Sequence, residues 1–297
     1  MKKTLLIIGC GDVARRVAPL LNTRYRILGL CRNPENSSKL RQHGIIPLSG
    51  DLDHPKTLNK LAGSAQMVLH LAPPANHGVR DTRTANLLAA LTRQFSIRYP
   101  RAKTLILPQR LVYISTSGVY GNCDGALIDE TRLVNPGSER ALRRINAERQ
   151  IRHWGKRNQV NISILRVPGI YAANRLPLKR LRDAAPVLSP EDDSYTNHIH
   201  ANDLARIICS ALRYAKHGRI YHACDDSHLK MGEYFDLVAD RFGLSRPPRI
   251  KRNQADGLIS PAMLSYMDES RRLTNNRMKR ELHITLHYPT VFEGISN

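Results

Sequence analysis

Residues 4–21 constrain the fold of this chain more than any other stretch. Residues 4–8 are all apolar or β-branched, which is typical of a parallel strand buried on both faces. A Gly-x-Gly-x-x-Ala turn follows at Gly9, Gly11 and Ala14, and apolar residues then recur at helical spacing. The stretch therefore predicts a strand, a tight turn and a helix.

This turn predicts a dinucleotide-binding site. Gly9 permits the sharp turn, Gly11 lets the backbone approach a pyrophosphate, and Ala14 lets the helix pack closely on the strand. The helix N-terminus, which Asp12 and Val13 form, supplies free N–H groups and a partial positive charge for phosphates. Glycines also make ordinary strand-to-helix turns, but the position directly after an N-terminal buried strand favours a cofactor site.

The end of the second predicted strand, residues 25–32, bears on the choice of cofactor. In NAD-binding sheets an acidic residue at this point holds the adenosine ribose. Here Cys31 and Arg32 occupy the position, so no carboxylate is present and a guanidinium is available for a 2′-phosphate. We therefore expect NADP to be preferred over NAD, with a plain surface arginine as the alternative role for Arg32.

Strands alternate with helices along the first half of the chain. We predict further strands at residues 44–53, 66–74, 110–121, 160–166 and 219–223, and helices at 55–61, 80–95, 138–151 and 202–214. Residues 97–109 are interpreted as an elaborated surface loop. The alternation specifies an α/β fold with a Rossmann-type, doubly wound parallel sheet. Residues at the carboxyl ends of these strands are further candidates for cofactor contact: Asp51, Leu52, Leu71, Ala72, Pro73, Pro168 and Ile170.

The alternation stops near residue 170, which suggests two unequal regions. Residues 1–170, with a returning strand near 218–223, are predicted to form the NAD(P)-binding Rossmann domain. Residues 171–297 are predicted to form a smaller, partly interleaved substrate-binding region.

Composition excludes several classes of protein. No run of eighteen apolar residues and no signal peptide is present, so we expect a cytoplasmic protein without a membrane partner. The five cysteines lack Cys-x-x-Cys spacing, and no metal site is expected.

The 46 Lys and Arg against 25 Asp and Glu give a net charge of +21, but these residues are dispersed and no nucleic-acid-binding motif accompanies them. Specific nucleic-acid binding is therefore not expected, whereas anionic or phosphorylated small molecules are.

The assembled motifs resemble the extended short-chain dehydrogenase/reductase superfamily, in particular its NAD-dependent epimerase/dehydratase group. The resemblance covers nearly the whole chain. It is carried by the glycine turn and by residues 50–53, 115–121, 166–171, 197–205, 276–282 and 288–289. Asp12 and Arg15, however, stand where the usual Gly-x-x-Gly-x-x-Gly of that superfamily has glycines.

A second departure concerns the catalytic Tyr-x-x-x-Lys pair of the superfamily. Counting back from Glu148 places Arg140 at the tyrosine position and Arg144 at the lysine position. The chain is similar in this respect to the atypical, YeeZ-like branch. A guanidinium stays protonated and cannot act as a base, although Arg144 can still bind the cofactor ribose or an anionic substrate group.

The resemblance also implies roles for the remaining candidates. Thr116 matches the hydroxyl that orients the substrate carbonyl, with capping of local backbone as the alternative, and Tyr120 is the nearby phenol proposed as a catalytic partner. The substrate candidates are Ser117, Tyr171, His198 and His200. The two histidines lie on a short extended segment without the helical spacing of a metal pair, and a structural role remains open for each.

Two functions follow as expectations. The first is an NAD(P)-binding oxidoreductase or epimerase that acts on a sugar-like or nucleotide-sugar-like substrate. The alternative is a catalytically silent NADP(H)-binding sensor or interaction protein, since the standard proton-transfer pair is absent. Substrate identity and a homodimeric state are left open.

Overall fold

The computed structural model describes residues 2–96 and 103–296, and its centre is a sheet of seven parallel strands. The strands are β1 (Lys3–Ile8), β2 (Tyr25–Cys31), β3 (Ile45–Ser49), β4 (Met67–His70), β5 (Arg110–Thr116), β6 (Asn161–Val167) and β7 (Ile220–His222). They lie in the order β3-β2-β1-β4-β5-β6-β7. The predicted doubly wound α/β fold is therefore confirmed. The order reverses between β1 and β4, and such a switch point opens a crevice at the carboxyl edge of a sheet.

Ten α-helices surround the sheet or follow it within the described ranges. They are α1 (Asp12–Leu21), α2 (Ser37–Gln42), α3 (Thr82–Leu91), α4 (Glu139–Asn158), α5 (Leu178–Arg182), α6 (Ala201–Tyr214), α7 (Met231–Arg241), α8 (Pro261–Met267), α9 (Asn276–Leu282) and α10 (Val291–Ile295). None of these helices is long and apolar enough to cross a bilayer.

Alternate residues of β1 pack into two apolar layers, one on each face of the sheet. Leu5 and Ile7 pack in one cluster with residues of α1, α6 and α9, whereas Leu6 and Ile8 pack in the other with residues of α3 and α4. All four side chains are fully buried. The apolar run at the N-terminus therefore forms a strand that is covered on both faces, as expected for a central parallel strand.

The C-terminal region has a small core of its own. Tyr171, Leu181, Val187, Phe235 and Val238 are among the buried residues of this cluster. Short parallel pairs accompany it, namely Gly169–Tyr171 with His198–His200, Val187–Leu188 with Arg249–Ile250, and Leu127–Ile128 with Arg272–Leu273. The chain after residue 170 also contributes to the large sheet, because α6 and α9 pack on it and β7, at the position of the predicted returning strand, pairs with β6.

The strands predicted at 44–53, 66–74 and 110–121 end earlier, at Ser49, His70 and Thr116, and three of the predicted helices also differ from the structure. Pro55–Leu61 is a 3₁₀ helix rather than an α-helix. α3 is shorter than predicted, since it starts after the cap Asp81, whose side chain accepts from Thr84 N, and Phe95 lies in a strand pair with residue 104. α4 runs seven residues beyond Ile151, to Asn158, and ends at the left-handed Gln159. Of the predicted loop at 97–109, residues 97–102 lie outside the described residues.

A buried ion pair fastens α4 to β6. Arg166 donates from Nε to Glu148 Oε1 at 3.1 Å and from Nη2 to Glu148 Oε2 at 2.8 Å. Both side chains are almost fully buried. This bidentate pair fixes the helix that carries Arg140 and Arg144 against the sheet.

Candidate functional site

Three adjoining cavities form one cleft along the carboxyl edge of the sheet. We call them the distal, middle and inner cavities, and their volumes are about 480, 390 and 600 Å³. The distal and middle cavities share Gly9 and Gly11, the middle and inner cavities share Thr116 and Arg144, and Pro73 lines all three. The cleft lies at the switch point between β1 and β4, where α/β sheets bind ligands.

The glycine turn supplies the floor of the distal and middle cavities. Gly9 has φ +95°, and a Cβ on it would lie 2.5 Å from Ala72 N, so only glycine fits there. A Cβ on Gly11 would meet no heavy atom within 4 Å, because this residue faces open space. Gly11 is also the N-cap of α1 and has no side-chain cap. The turn thus forms a cradle with free N–H groups that fits the phosphates of a dinucleotide.

Several basic side chains line the distal cavity. The predicted residues Cys31, Arg32, Asp51, Leu52 and Ala72 all line it. Sequence reasoning missed three further basic residues of its wall, namely Arg15 on the first turn of α1, Lys39 on α2 and Arg83 on α3, of which Arg83 is paired with Asp53. Arg15 was identifiable, since it follows the glycine turn directly, but Lys39 comes to the cavity only through the fold.

The middle cavity contains the rest of the cofactor candidates. Besides Gly9, Gly11 and Pro73, the predicted residues that line it are Asp12, Val13, Ala14, Leu71, Arg144, Pro168 and Ile170. The carboxylate of Asp12 pairs with Arg16 at 3.0 Å and with Arg175 at 3.5 Å, so it anchors α1 to the region after β6.

Arg144 holds the end of β5 at the boundary of the middle and inner cavities. It donates to Tyr113 Oη at 3.1 Å and to the Ile114 carbonyl at 2.9 Å. Burial raises the pKa of Tyr113 to about 12, in spite of the opposing effect of the Arg144 guanidinium. Tyr113 therefore stays protonated at neutral pH, and Arg144 remains the charged group at this point.

The inner cavity brings together four of the predicted catalytic and substrate residues. Thr116, Ser117, Tyr171 and His198 all line it. Thr116 Oγ1 accepts from Gly118 N at 3.2 Å, and Tyr171 donates to the Thr290 carbonyl at 3.2 Å. His198 stacks on Tyr234 with ring centroids 4.3 Å apart, and burial lowers the pKa of His198 to about 3. This histidine is therefore neutral at physiological pH.

Two predicted residues lie elsewhere. Tyr120 is only 1% exposed, does not line the cleft, and shares a hydrogen bond of 2.6 Å with His222 Nε2. The expectation that Tyr120 reaches the substrate is therefore corrected, because the 3₁₀ turn Ser117–Tyr120 directs its ring into the core. His200 points away from the inner cavity, packs on Tyr288, and its Nδ1 accepts from Asn202 N at the start of α6.

Guanidinium groups dominate the charged lining of the inner cavity. Four arginines line it, namely Arg140, Arg143, Arg144 and Arg271, against one carboxylate, that of Glu269. The Arg140 guanidinium lies 4.1 Å from the ring centre of Tyr266, which also lines the cavity. Arg143 was not singled out from the sequence, because nothing in a basic helix tells which of its arginines turns toward a cleft.

No metal centre accompanies this cleft in residues 2–96 and 103–296. Within these ranges no three His, Cys, Asp or Glu side chains form a group that could hold a metal ion. Cys10, in the glycine turn, packs as an apolar side chain, and burial raises the pKa of its thiol to about 12.

The parallel sheet, the glycine turn and the cleft at the switch point define a Rossmann protein of the short-chain dehydrogenase/reductase type. Residues 5–224 match the NAD dependent epimerase/dehydratase family, and the chain belongs to this family. None of the curated proteins matches the sequence.

Solved structures share the fold over almost the full length. A conserved protein of unknown function from Silicibacter pomeroyi is 25% identical, with a TM-score of 0.78 over 99% of this chain and 97% of that one. The UDP-glucuronic acid 4-epimerase of Bacillus cereus, in complex with UDP-glucuronic acid and NAD, is 18% identical, with a TM-score of 0.75 over 98% and 96%. The UDP-glucose 4-epimerase of Thermotoga maritima with UDP-glucose is 14% identical, with a TM-score of 0.75 over 99% and 96%.

Proposed function

We propose that this protein binds NADP(H) along the distal and middle cavities and oxidises or reduces an anionic, sugar-like or nucleotide-sugar-like molecule in the inner cavity. The observation that carries the proposal is the continuity of the three cavities. A glycine cradle for phosphates lies at one end, and a pocket lined by four arginines and the Thr116 hydroxyl lies at the other. The family and the nucleotide-sugar epimerases of the same fold support a nicotinamide dinucleotide and a substrate of this class.

The residues of the cradle fit the cofactor. Gly11 and the free N–H groups of α1 would hold the pyrophosphate, since a Cβ at this point would fill the space that the cradle leaves open. Arg144 would lie beside the nicotinamide ribose. A nicotinamide ring, when bound, takes a hydride from carbon or returns it.

The distal cavity supports a preference for the phosphorylated cofactor. Arg32 lines it at the end of β2, and Arg15 and Lys39 add two positive charges on its wall. A charge-assisted hydrogen bond to a phosphate contributes about 1.5–3 kcal/mol, which corresponds to a preference of about ten- to a hundredfold.

The arginines of the inner cavity support an anionic substrate. Arg140 and Arg144 stand where relatives with a Tyr-x-x-x-Lys pair have a phenol and an ammonium group, so this wall binds negative charge instead of supplying a tyrosine proton. Thr116 Oγ1 accepts from Gly118 N, and its own proton can be donated to a substrate oxygen.

The absence of tyrosine and lysine at positions 140 and 144 favours the second candidate function, a catalytically silent NADP(H) sensor.

Titration calorimetry tests the cofactor. The unmodified protein is expected to bind NADPH about ten- to a hundredfold more tightly than NADH, and Arg32→Ala is expected to remove most of this difference. Arg26→Ala serves as the matched control, since Arg26 lies on the same strand and does not line the cavity. Equal affinities for the two cofactors in the unmodified protein would exclude the NADP assignment.

Turnover separates the enzyme from the sensor. The probes are UDP-glucuronic acid and UDP-glucose with NADP⁺, and simple dicarbonyls with NADPH. Absorbance at the nicotinamide band reports net oxidation or reduction, and chromatography of the nucleotide sugars reports epimerisation, which leaves that absorbance unchanged. Turnover of any probe supports the enzyme. Tight NADPH binding without turnover of any probe would leave the sensor as the function.

A further inference from the structure

We propose that Glu269 is the catalytic residue that exchanges a proton with the substrate, an assignment that rests on the proposed function. Glu269 lies between α8 and the short strand Arg272–Leu273. It begins the segment 269–277, whose basic residues suggest from the sequence either a phosphate-binding face or a solvated helix end. It is the only carboxylic residue on the wall of the inner cavity among the described residues. Helix α4 has no tyrosine and lysine at positions 140 and 144 to exchange the proton. Glu269 can therefore supply the proton-exchanging group from a different part of the chain.

The carboxylate of Glu269 and the hydroxyl of Thr116 both approach Gly118. A Cβ built on Gly118 would be 3.5 Å from Glu269 Oε2 and 3.5 Å from Thr116 Oγ1. Both oxygens thus border the same glycine, on the wall of the same cavity. A substrate that packs against Gly118 would therefore face both groups.

A buried arginine fixes the direction of this carboxylate. Arg271 donates from Nη1 to Glu269 Oε2 at 3.0 Å, and the same nitrogen also donates to the Gly121 carbonyl at 2.9 Å. Glu269 is only 8% exposed, so its side chain does not turn freely in solvent. Within the described residues Glu269 Oε1 accepts no hydrogen bond, which leaves this oxygen available to a ligand.

The phenols of the inner cavity are weaker candidates. The Tyr171 hydroxyl is engaged with the Thr290 carbonyl, and burial raises the pKa values of Tyr171 and Tyr234 far above neutrality. Tyr266 is half exposed and has the Arg140 guanidinium over its ring. The fourth phenol of the wall, Tyr195, likewise has the Arg272 guanidinium over its ring, 4.9 Å from the ring centre. A carboxylate is ordinarily ionised at neutral pH and can accept a proton at once, whereas a phenol is ordinarily protonated.

The proton step balances without a further reactant. In the oxidative direction the O–H bond of a substrate alcohol breaks and its proton passes to Glu269, while the hydride from the same carbon passes to the nicotinamide of the proposed cofactor and a C=O bond forms. In the reverse half-step the carboxylic acid formed in this way returns the proton to the carbonyl oxygen as the hydride returns to its carbon. Thr116 holds that oxygen by a hydrogen bond in both directions.

Glu269→Gln is the test, because an amide keeps the size of the side chain and an acceptor for Arg271 but cannot take the proton. With whichever probe the unmodified protein turns over, kcat is expected to fall about 10²–10⁴-fold. KM for an anionic probe should not rise, since the variant removes a negative charge from the cavity, and the calorimetric Kd for NADPH should not change, since Glu269 lines neither the distal nor the middle cavity.

Glu281→Gln is the matched control. Glu281 also pairs with an arginine, Arg219 at 2.9 Å, but it lies on α9, away from the cleft, so kcat should not change. The proposal is overturned if Glu269→Gln keeps the kcat of the unmodified protein, if it weakens NADPH binding along with turnover, or if Glu281→Gln loses as much. It is also overturned if Glu269→Gln stays active while Tyr195→Phe or Tyr266→Phe abolishes turnover. A protein that binds NADPH but turns over none of the probes would refute the proposed enzyme itself, and the role of Glu269 with it.

Discussion

Gly9 and Gly11 lie two residues apart and meet opposite surroundings. Gly9 has a left-handed φ of +95°, and its α-carbon faces the backbone of Ala72. Gly11 has an ordinary backbone conformation, with φ −83°, and faces the cleft. A side chain at Gly9 therefore meets the protein itself, whereas a side chain at Gly11 would meet only a ligand.

Alanine substitutions should separate stability from cofactor binding at these two residues. Gly9→Ala is expected to lower the free energy of unfolding by at least about 1–2 kcal/mol, because of the left-handed backbone and the contact with Ala72. Gly11→Ala should change it by less than about 0.5 kcal/mol but weaken NADPH binding at least about tenfold. Urea unfolding and calorimetry measure the two quantities, and a Gly11→Ala variant with unchanged NADPH affinity would contradict the cradle.

Much of the cofactor cleft was predictable residue by residue, because the carboxyl ends of parallel strands converge on one edge. The directions of individual side chains were not. Tyr120 follows the Ser/Thr strand end as closely as Ser117 does, yet one turn of 3₁₀ helix sends it into the core. Glu269 reaches Gly118 across a large sequence separation, and only the fold shows that approach.

At the level of elements, a buried histidine joins β4 to α3. Thr84 donates its hydroxyl proton to Asp81 at 2.6 Å, so His70 Nε2 is the donor in its 2.9 Å hydrogen bond to Thr84 Oγ1. His70 is fully buried, and this burial, together with the nearby Arg144 charge, lowers its pKa to about 3. The link between strand and helix therefore depends on a neutral imidazole.

The stability that His70 contributes should decrease as the pH is lowered. The unfolded chain protonates this side chain near pH 6.5, whereas the folded protein does so only near pH 3. Between these values acid favours the unfolded state, by up to about 1.4 kcal/mol per pH unit. The difference in unfolding free energy between the unmodified protein and His70→Gln, measured in urea at pH 7.5, 6.0 and 5.0, should therefore shrink as the pH falls. A constant difference would show that His70 is not held neutral.

Element types were easier to predict than element ends. The strands follow from continuous apolar runs, and α4 follows from its Ser138 cap, whose side chain accepts from Ala141 N. The end of α4 depends on Trp154 and Ile151 packing into the sheet layer, which a basic sequence with little amphipathic pattern does not show. The tight 3₁₀ winding of Pro55–Leu61 likewise carries no distinct sequence signal.

At the scale of the whole molecule, the large sheet is assembled from both ends of the chain. α6 covers the face of β1 that carries Leu5 and Ile7, and β7 pairs with β6 through Ile220 and Ile164. The Rossmann domain predicted at residues 1–170 was expected to take a returning strand from residues 218–223, and the stretch 1–170 by itself contains the cradle but neither of these two elements. It therefore lacks part of its own apolar layer.

A fragment of residues 1–170 is expected not to fold alone. The exposed face of β1 and the open edge of β6 should lead to aggregation or to a collapsed state without cooperative unfolding. Circular dichroism with urea and size-exclusion chromatography would show this against the full chain. A monomeric fragment that unfolds cooperatively and binds NADPH would demonstrate an independent domain.

The late return of β7 also sets an order of events during synthesis. The ribosome releases the glycine turn first, but the strand that closes the sheet begins only at residue 220 of 297. Until then the nascent chain exposes the open edge of β6, and a chaperone or a neighbouring nascent chain can pair with it. The ribosome must therefore translate most of the message before the sheet is complete and a bound cofactor can stabilise the folded protein.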